Sequence, residues 1–332
     1  MGLIAGKQVD LFDLYWMFAH ERMEMVYGKL SADDVLSKVR FTAPYRAVDR
    51  TSQYLIGQIL YPDGTPNPSH DDPNQVIRDV LLYKLFNRVD TWEHWVNENL
   101  SAKWEDFSWQ EYLGEASNIR PPLFNAAYIT PMWQYPPGYE TAFPAKTARA
   151  LQTVEYCIMS DLGWDLLECN AAKAYDILSR IPNFGPFLSY QLLTDLGYTE
   201  LYNWGENHFV KAGPQAREGV AQVFGVGVNP EEVIREFQTI QKEEFDRLEL
   251  PFRYLFGGRT LSLIDIQNLF CEFTKYIKLG KFVHENLVYN KESQSKRYRL
   301  YTPSVRGPLK FWFPNKWGIN PDIPEEFRLW KA

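Results

Sequence analysis

AYDILSRIPNFGPFLSYQLLTDLGY, residues 174–198, reads as two helices separated by a turn. Apolar residues recur at helical spacing as far as Arg180. Ile181-Pro182-Asn183-Phe184-Gly185-Pro186 breaks the pattern, and a second amphipathic helix opens at Phe187. Pro186 precedes the first turn, where a missing N–H costs little. Gly185 permits a backbone angle that other residues disfavour. The first amides of the second helix have no intrahelical partner and sit at the positive end of its dipole. Such a terminus binds phosphate without any charged side chain. A helix-turn-helix that binds nothing has the same pattern.

Outward from the hairpin, the chain is predicted mostly α. Helices are expected at 9–28, closed by Gly28, at 75–96, 105–119, 146–160 and 166–180, then at 206–224, 230–245 and 261–279. Pro44 suits a helix start. Residues 61–74 (YPDGTPNPSHDDPN) are a loop, and 120–145 is too rich in proline for a long regular element. Strands do not alternate with helices as a parallel sheet requires. The expected division is a helical body, 1–289, with a basic and aromatic extension, 290–332, packed on it as short strands or an irregular cap.

The net charge of −7 excludes a protein that coats nucleic acid through overall basicity, but not one with a local basic groove. Aromatic residues reach 16 %, enough for a packed core and stacking surfaces together. Cys157, Cys169 and Cys271 are odd in number, so they cannot form a complete disulfide framework. The five histidines lack zinc-site spacing, so no metal is expected. No secretory leader and no run of 18 apolar residues occurs, which predicts a cytoplasmic protein without a membrane role. G-x-x-x-x-G-K-[ST] is absent from these residues.

Two polar stripes stand out. Arg46, Asp49, Arg50 and Gln53 share one face if 46–53 is helical, while Tyr45, Val48, Ser52 and Leu55 fall on another. Asp265, Asn268, Glu272 and Lys275 line a helix that is otherwise apolar, with Leu261, Leu263, Ile264, Ile266, Leu269, Phe270, Phe273 and Ile277. Gln191 and Asp195, four residues apart, form a third polar pair. Each stripe is either a solvated face, with local pairs such as Asp49–Arg50 and Glu272–Lys275, or the wall of a polar site.

Residues 181–186 resemble the hairpin of helix-hairpin-helix DNA glycosylases, which reads Leu-Pro-Gly-Ile-Gly or similar. Asn183 stands where that pattern has its first glycine. Those enzymes carry a catalytic aspartate beyond the second helix in a Val-Asp-Thr-His-Val-like setting. That setting is missing here, which argues against ordinary base excision. RAVDRTSQYLI (46–56), LLYKLFNRVDTWE (81–93), NAAYITP (125–131), IPNFGPFLSYQLLTDLGYT (181–199), VKAGPQAREGV (210–220) and LSLIDIQNLFCEFTKY (261–276) together resemble a phage family. These are the glycosylase-related thymine hypermodification enzymes, the α-glutamyl/putrescinyl thymine pyrophosphorylases or amino acid:DNA transferases. Helical domains attached to hydroxymethyluracil DNA kinases look similar.

This resemblance implies a helix-hairpin-helix glycosylase-like fold and a transferase encoded by a phage and acting in the host cytoplasm. An amine, from an amino acid or putrescine, would displace pyrophosphate from 5-(pyrophosphoryloxymethyl)uracil in double-stranded DNA. The base must leave the stack, and Tyr45, Tyr128 or Trp133 would sandwich it. Arg46, Arg50, Arg88, Lys211 and Arg217 would hold the pyrophosphate. Gln53, Gln191 and Asn268 would read the base edge. Asp195, Asp49, Asp265 and Glu272 compete as general base. Asn183, Phe184, Gly185 and Phe187 would touch DNA, with a monovalent cation able to sit at the hairpin and no other cofactor required. The rival readings are a glycosylase or lyase acting on a modified base, and a non-catalytic DNA-binding partner of a hydroxymethyluracil DNA kinase.

Overall fold

Capping residues divide the chain into helices much as their chemistry dictates. The computed structural model describes residues 10–98, 100, 103–120, 122–126, 130–139, 145–279 and 310–331. In chain order the α-helices are α1 (Leu11–Val26), α2 (Asp34–Lys38), α3 (Arg50–Tyr54), α4 (Pro73–Phe86), α5 (Val89–Asn97) and α6 (Trp109–Ala116). They continue with α7 (Lys146–Met159), α8 (Leu162–Leu167), α9 (Ala171–Leu178), α10 (Pro186–Leu196), α11 (Pro214–Phe224), α12 (Pro230–Arg247) and α13 (Leu263–Leu279). Asp10, Asp33, Asp72, Ser108, Asn170 and Asn229 each accept a first-turn amide, and proline opens α4, α10, α11 and α12.

Several sequence boundaries move. The helix expected over 75–96 is two helices, because Asn87 turns left-handed (φ 47°, ψ 40°) and ends α4. The one expected over 166–180 is likewise split between α8 and α9, and that over 206–224 starts only at Pro214. α3 loosens into a π-helical turn over Leu55–Leu60. Short strands expected near the C-terminus do not form among the described residues. Residues 310–331 are instead turns of 3-10 helix with a single bridge between Phe311 and Arg328. Residues 290–309 lie outside the described residues.

The described chain separates into two compact units. In the first are α1, α2, α11, α12 and α13, with residues 319–328. Its core is aromatic: Trp16 stacks on Phe237 at 4.9 Å and Tyr15 lies 4.4 Å from Phe270 between ring centres. α11 lies close against α13 at Gly219, where a Cβ would meet the Phe270 carbonyl oxygen at 2.6 Å. The second unit holds α3 to α10 with residues 312–318 and the described end of the chain. Its centre is α4, buried along its whole length against α7, α8 and α10. The C-terminal residues contribute to both units. Trp312 joins the second because both amide groups of buried Gln53 bond its backbone, at 2.8 and 3.0 Å.

Candidate functional site

The hairpin forms where the sequence places it, between α9 and α10 in the second unit, but its geometry departs from expectation. Gly185 is the N-cap of α10 at φ −80°, ψ 175°, extended backbone that any residue adopts. Asn183 is the left-handed residue, at φ 71°. Asparagine tolerates that region, so it can replace the first glycine of a Pro-Gly-type turn. Its side chain is also occupied. Oδ1 accepts the Trp133 and Gln134 amides at 2.7 Å each, and Nδ2 donates to the Gln134 carbonyl at 2.8 Å. Phe184 is turned inward, 5 % exposed, and cannot be the DNA contact expected of it. Gly185 and Pro186 are exposed and Phe187 is half-buried. α10 has no side-chain cap and no acid in its first turn.

Behind the turn, α10 buries the Gln191–Asp195 pair. Asp195, 1 % exposed, forms an ion pair with Lys84 of α4 at 2.6 Å. Sequence reasoning missed Lys84. The signal was available, since it is the one charged residue in the apolar run Val80–Phe86. A second buried charge group on α4 was also missed. Arg78 pairs with Asp79, which accepts from His70 Nε2 at 2.8 Å and from Gln75 at 3.1 Å, while Arg78 also reaches the Tyr112 hydroxyl. Burial pushes the Asp79 carboxyl up, but Arg78 and His70 outweigh it and hold the group below its usual range. Arg88 pairs with Asp90 at the start of α5. Tyr128 lies outside the described residues.

The stripe Arg46–Asp49–Arg50–Gln53 does not share a helical face. Arg46–Val48 is a 3-10 turn, and Asp49 (φ −60°, ψ 143°) interrupts it before α3 begins. Asp49 is half-buried and Arg50 exposed. Gln53, with both amide groups held by Trp312, is a tie for the C-terminal segment; it is not placed to read a base.

In the first unit, Asp265 is wholly engaged at the start of α13. Its Oδ1 accepts the amide of buried Arg46 at 2.6 Å, and its Oδ2 accepts the Ser262 amide and hydroxyl at 2.9 and 2.8 Å. This is the reciprocal end of a capping box. Burial raises the carboxyl's proton affinity, and those hydrogen bonds oppose it. Glu272 accepts the Thr42 amide at 3.2 Å and lies 3.5 Å from Lys275. Arg217 and Lys211 both face Glu231, at 2.7 and 3.6 Å. Asn268 is half-buried on α13. Four of the residues expected to serve a reaction, Asp265, Glu272, Lys211 and Arg217, are therefore committed to partners within the unit.

A family described as "5-hmdU DNA kinase, helical domain" matches residues 9–284. The chain belongs to that family. Over 291 residues it is 23 % identical to 5-hmdU DNA kinase of Bacillus phage SP10, an alignment that covers 80 % of this chain and 45 % of the relative. The chain thus spans about half the length of that curated relative. No solved structure matches it. Membership fits a place in phage thymine modification and a helical architecture. It overturns the amine:DNA transferase expectation, because the family and the relative are named for a DNA kinase. Among the described residues no helix is long and apolar enough to cross a membrane.

Proposed function

We propose that this chain is a DNA-recognition body for thymine hypermodification, holding DNA that carries 5-hydroxymethyluracil for a 5-hmdU DNA kinase activity. The observation that carries this reading is the exposed turn at Gly185-Pro186 leading into α10, with no acid and no side-chain cap in the first turn. That arrangement suits a phosphate of the DNA backbone, and it lets a chain with a net charge of −7 hold a polyanion locally. On this reading the fold is of the helix-hairpin-helix glycosylase type. The sequence contains no G-x-x-x-x-G-K-[ST], so the nucleotide is held by a kinase module or partner acting with these helices. The work belongs in a bacterial host's cytoplasm, on phage DNA, a setting that the relative's phage origin supports. Gln191 and Asp195 are buried on α10, with Asp195 paired to Lys84, and support the turn from behind.

The test is fluorescence anisotropy with matched duplexes containing thymine or 5-hydroxymethyluracil, beside a phosphorylation assay with labelled ATP. The expected result is salt-sensitive duplex binding, tighter for the hydroxymethylated strand, with no phosphate transfer by this chain alone. Absence of binding, or phosphorylation without a kinase module, overturns the reading.

A further inference from the structure

Trp133 is 81 % exposed, yet the backbone that carries it is fixed. Its own amide and that of Gln134 are held by Asn183 of the hairpin, and the Gln134 carbonyl accepts from the same side chain. On the other side, Met132 is buried and its carbonyl accepts from Arg149 Nε. Thr130 is buried and donates to the Leu85 carbonyl at 3.0 Å. Arg149 also lies over the Tyr135 ring, 5.3 Å from its centre. The loop is thus tied to α4, α7 and the hairpin at four neighbouring positions. A large indole held out into water on a pinned backbone gains nothing from packing there. A ligand that covers the ring would supply that packing.

The surroundings favour a nucleobase over a protein surface. Among the described residues 130–139 and 179–187, Trp133 is the one large hydrophobic side chain that is exposed. Gln134 is exposed beside it in the chain, and Asn183 holds its amide. An exposed aromatic face beside a turn read as holding the backbone is a surface on which a base can stack. The tie through Asn183 also fixes the backbone that carries the indole relative to the turn that is read as gripping the DNA backbone.

We infer that Trp133 is a DNA-stacking residue, a rigid wedge that caps or enters a base step next to the phosphate held at the hairpin. This rests on the DNA-recognition reading and deepens it. The left-handed Asn183 then serves as a positioning residue: its side chain sets the wedge while its backbone makes the turn.

The experiment uses the full chain with a duplex carrying 2-aminopurine beside a single 5-hydroxymethyluracil. Wild type, Trp133→Ala, Trp133→Phe and Asn183→Gly are compared by anisotropy and by 2-aminopurine emission, with circular dichroism as the fold check. Trp133→Ala should weaken binding about tenfold to a hundredfold and abolish the change in 2-aminopurine emission, with an unchanged melting curve. Trp133→Phe should keep most of both signals. Asn183→Gly keeps the backbone angle but loosens the loop, and should fall between them. Wild-type affinity and emission in Trp133→Ala overturns the wedge while leaving the DNA reading intact. So does a Trp133→Ala defect confined to association with a kinase partner, which would make the indole a protein contact. Failure of the wild type to bind DNA removes the reading itself.

Discussion

Among the described residues, one inter-helix turn in each unit can be set side by side, and the two have opposite chemistry. Between α9 and α10 the turn has its left-handed residue at Asn183, tucks Phe184 inward and opens a helix with no acid in its first turn. Between α11 and α12 the turn is Gly225-Val226-Gly227-Val228-Asn229, with both glycines at positive φ and Val226 93 % exposed. There the helix start is already satisfied. Asn229 accepts the Glu231 amide at 3.1 Å, and Glu231 and Glu232 occupy the first turn. Carboxylates in that position complement the helix dipole themselves and repel another anion. A glycine-rich turn before a helix is therefore not enough to mark an anion site.

What lies behind each turn differs too, and this sets the largest predicted effect. α10 buries Asp195 against Lys84. Lys84→Met strands that carboxylate in the core and should cost about 3–5 kcal/mol, read as a large drop in the thermal midpoint. α12 buries a neutral group instead. Gln241 accepts the Leu261 amide at 2.9 Å and donates to the Leu261 carbonyl at 3.0 Å. Gln241→Leu leaves both backbone groups unpaired and should cost about 1–3 kcal/mol in denaturant unfolding. Equal losses in the two variants would break the contrast between a charged and a neutral support.

An acid can also be placed where only the second turn has one. Gly185 is exposed and extended, and a Cβ built on it would meet open space, so Gly185→Glu should fold normally. It should weaken duplex binding by about tenfold, roughly one lost charge-assisted contact. Glu232→Gln, its counterpart at the start of α12, should change DNA affinity by less than about twofold under the same salt conditions. Equal responses by anisotropy would mean that neither helix start touches DNA. The smallest effect belongs to Asn229→Ala, which removes only a cap and should cost about 1 kcal/mol without altering DNA binding.

Helical class and the turn at 181–186 are legible in the chain, because proline, asparagine and glycine act on their own few neighbouring dihedrals. The stripes are less legible. Helical spacing puts Arg46, Asp49, Arg50 and Gln53 together, but Asp49 takes an extended backbone and separates them. Asp265 has no basic neighbour on its own turn, and its hydrogen-bond partners, Ser262 and Arg46, include one 219 residues away. Lys84 stands within a matching segment, yet nothing local says that it meets Asp195 in the hairpin's second helix.

Local chemistry in the chain was sufficient to set the helical class, the turn at 181–186 between two helices, and a resemblance to phage thymine-modification proteins. Packing in three dimensions determined which polar groups remain available to a ligand and which are spent on the fold. It gave Gln53 to Trp312, Asp265 to a capping box, Lys84 to Asp195 and Asn183 to the loop that holds out Trp133. The difference is one of range. Caps and turns are settled by hydrogen bonds between near neighbours, whereas a buried charge or amide takes whichever partner the packing brings within about 3 Å, however distant in the chain.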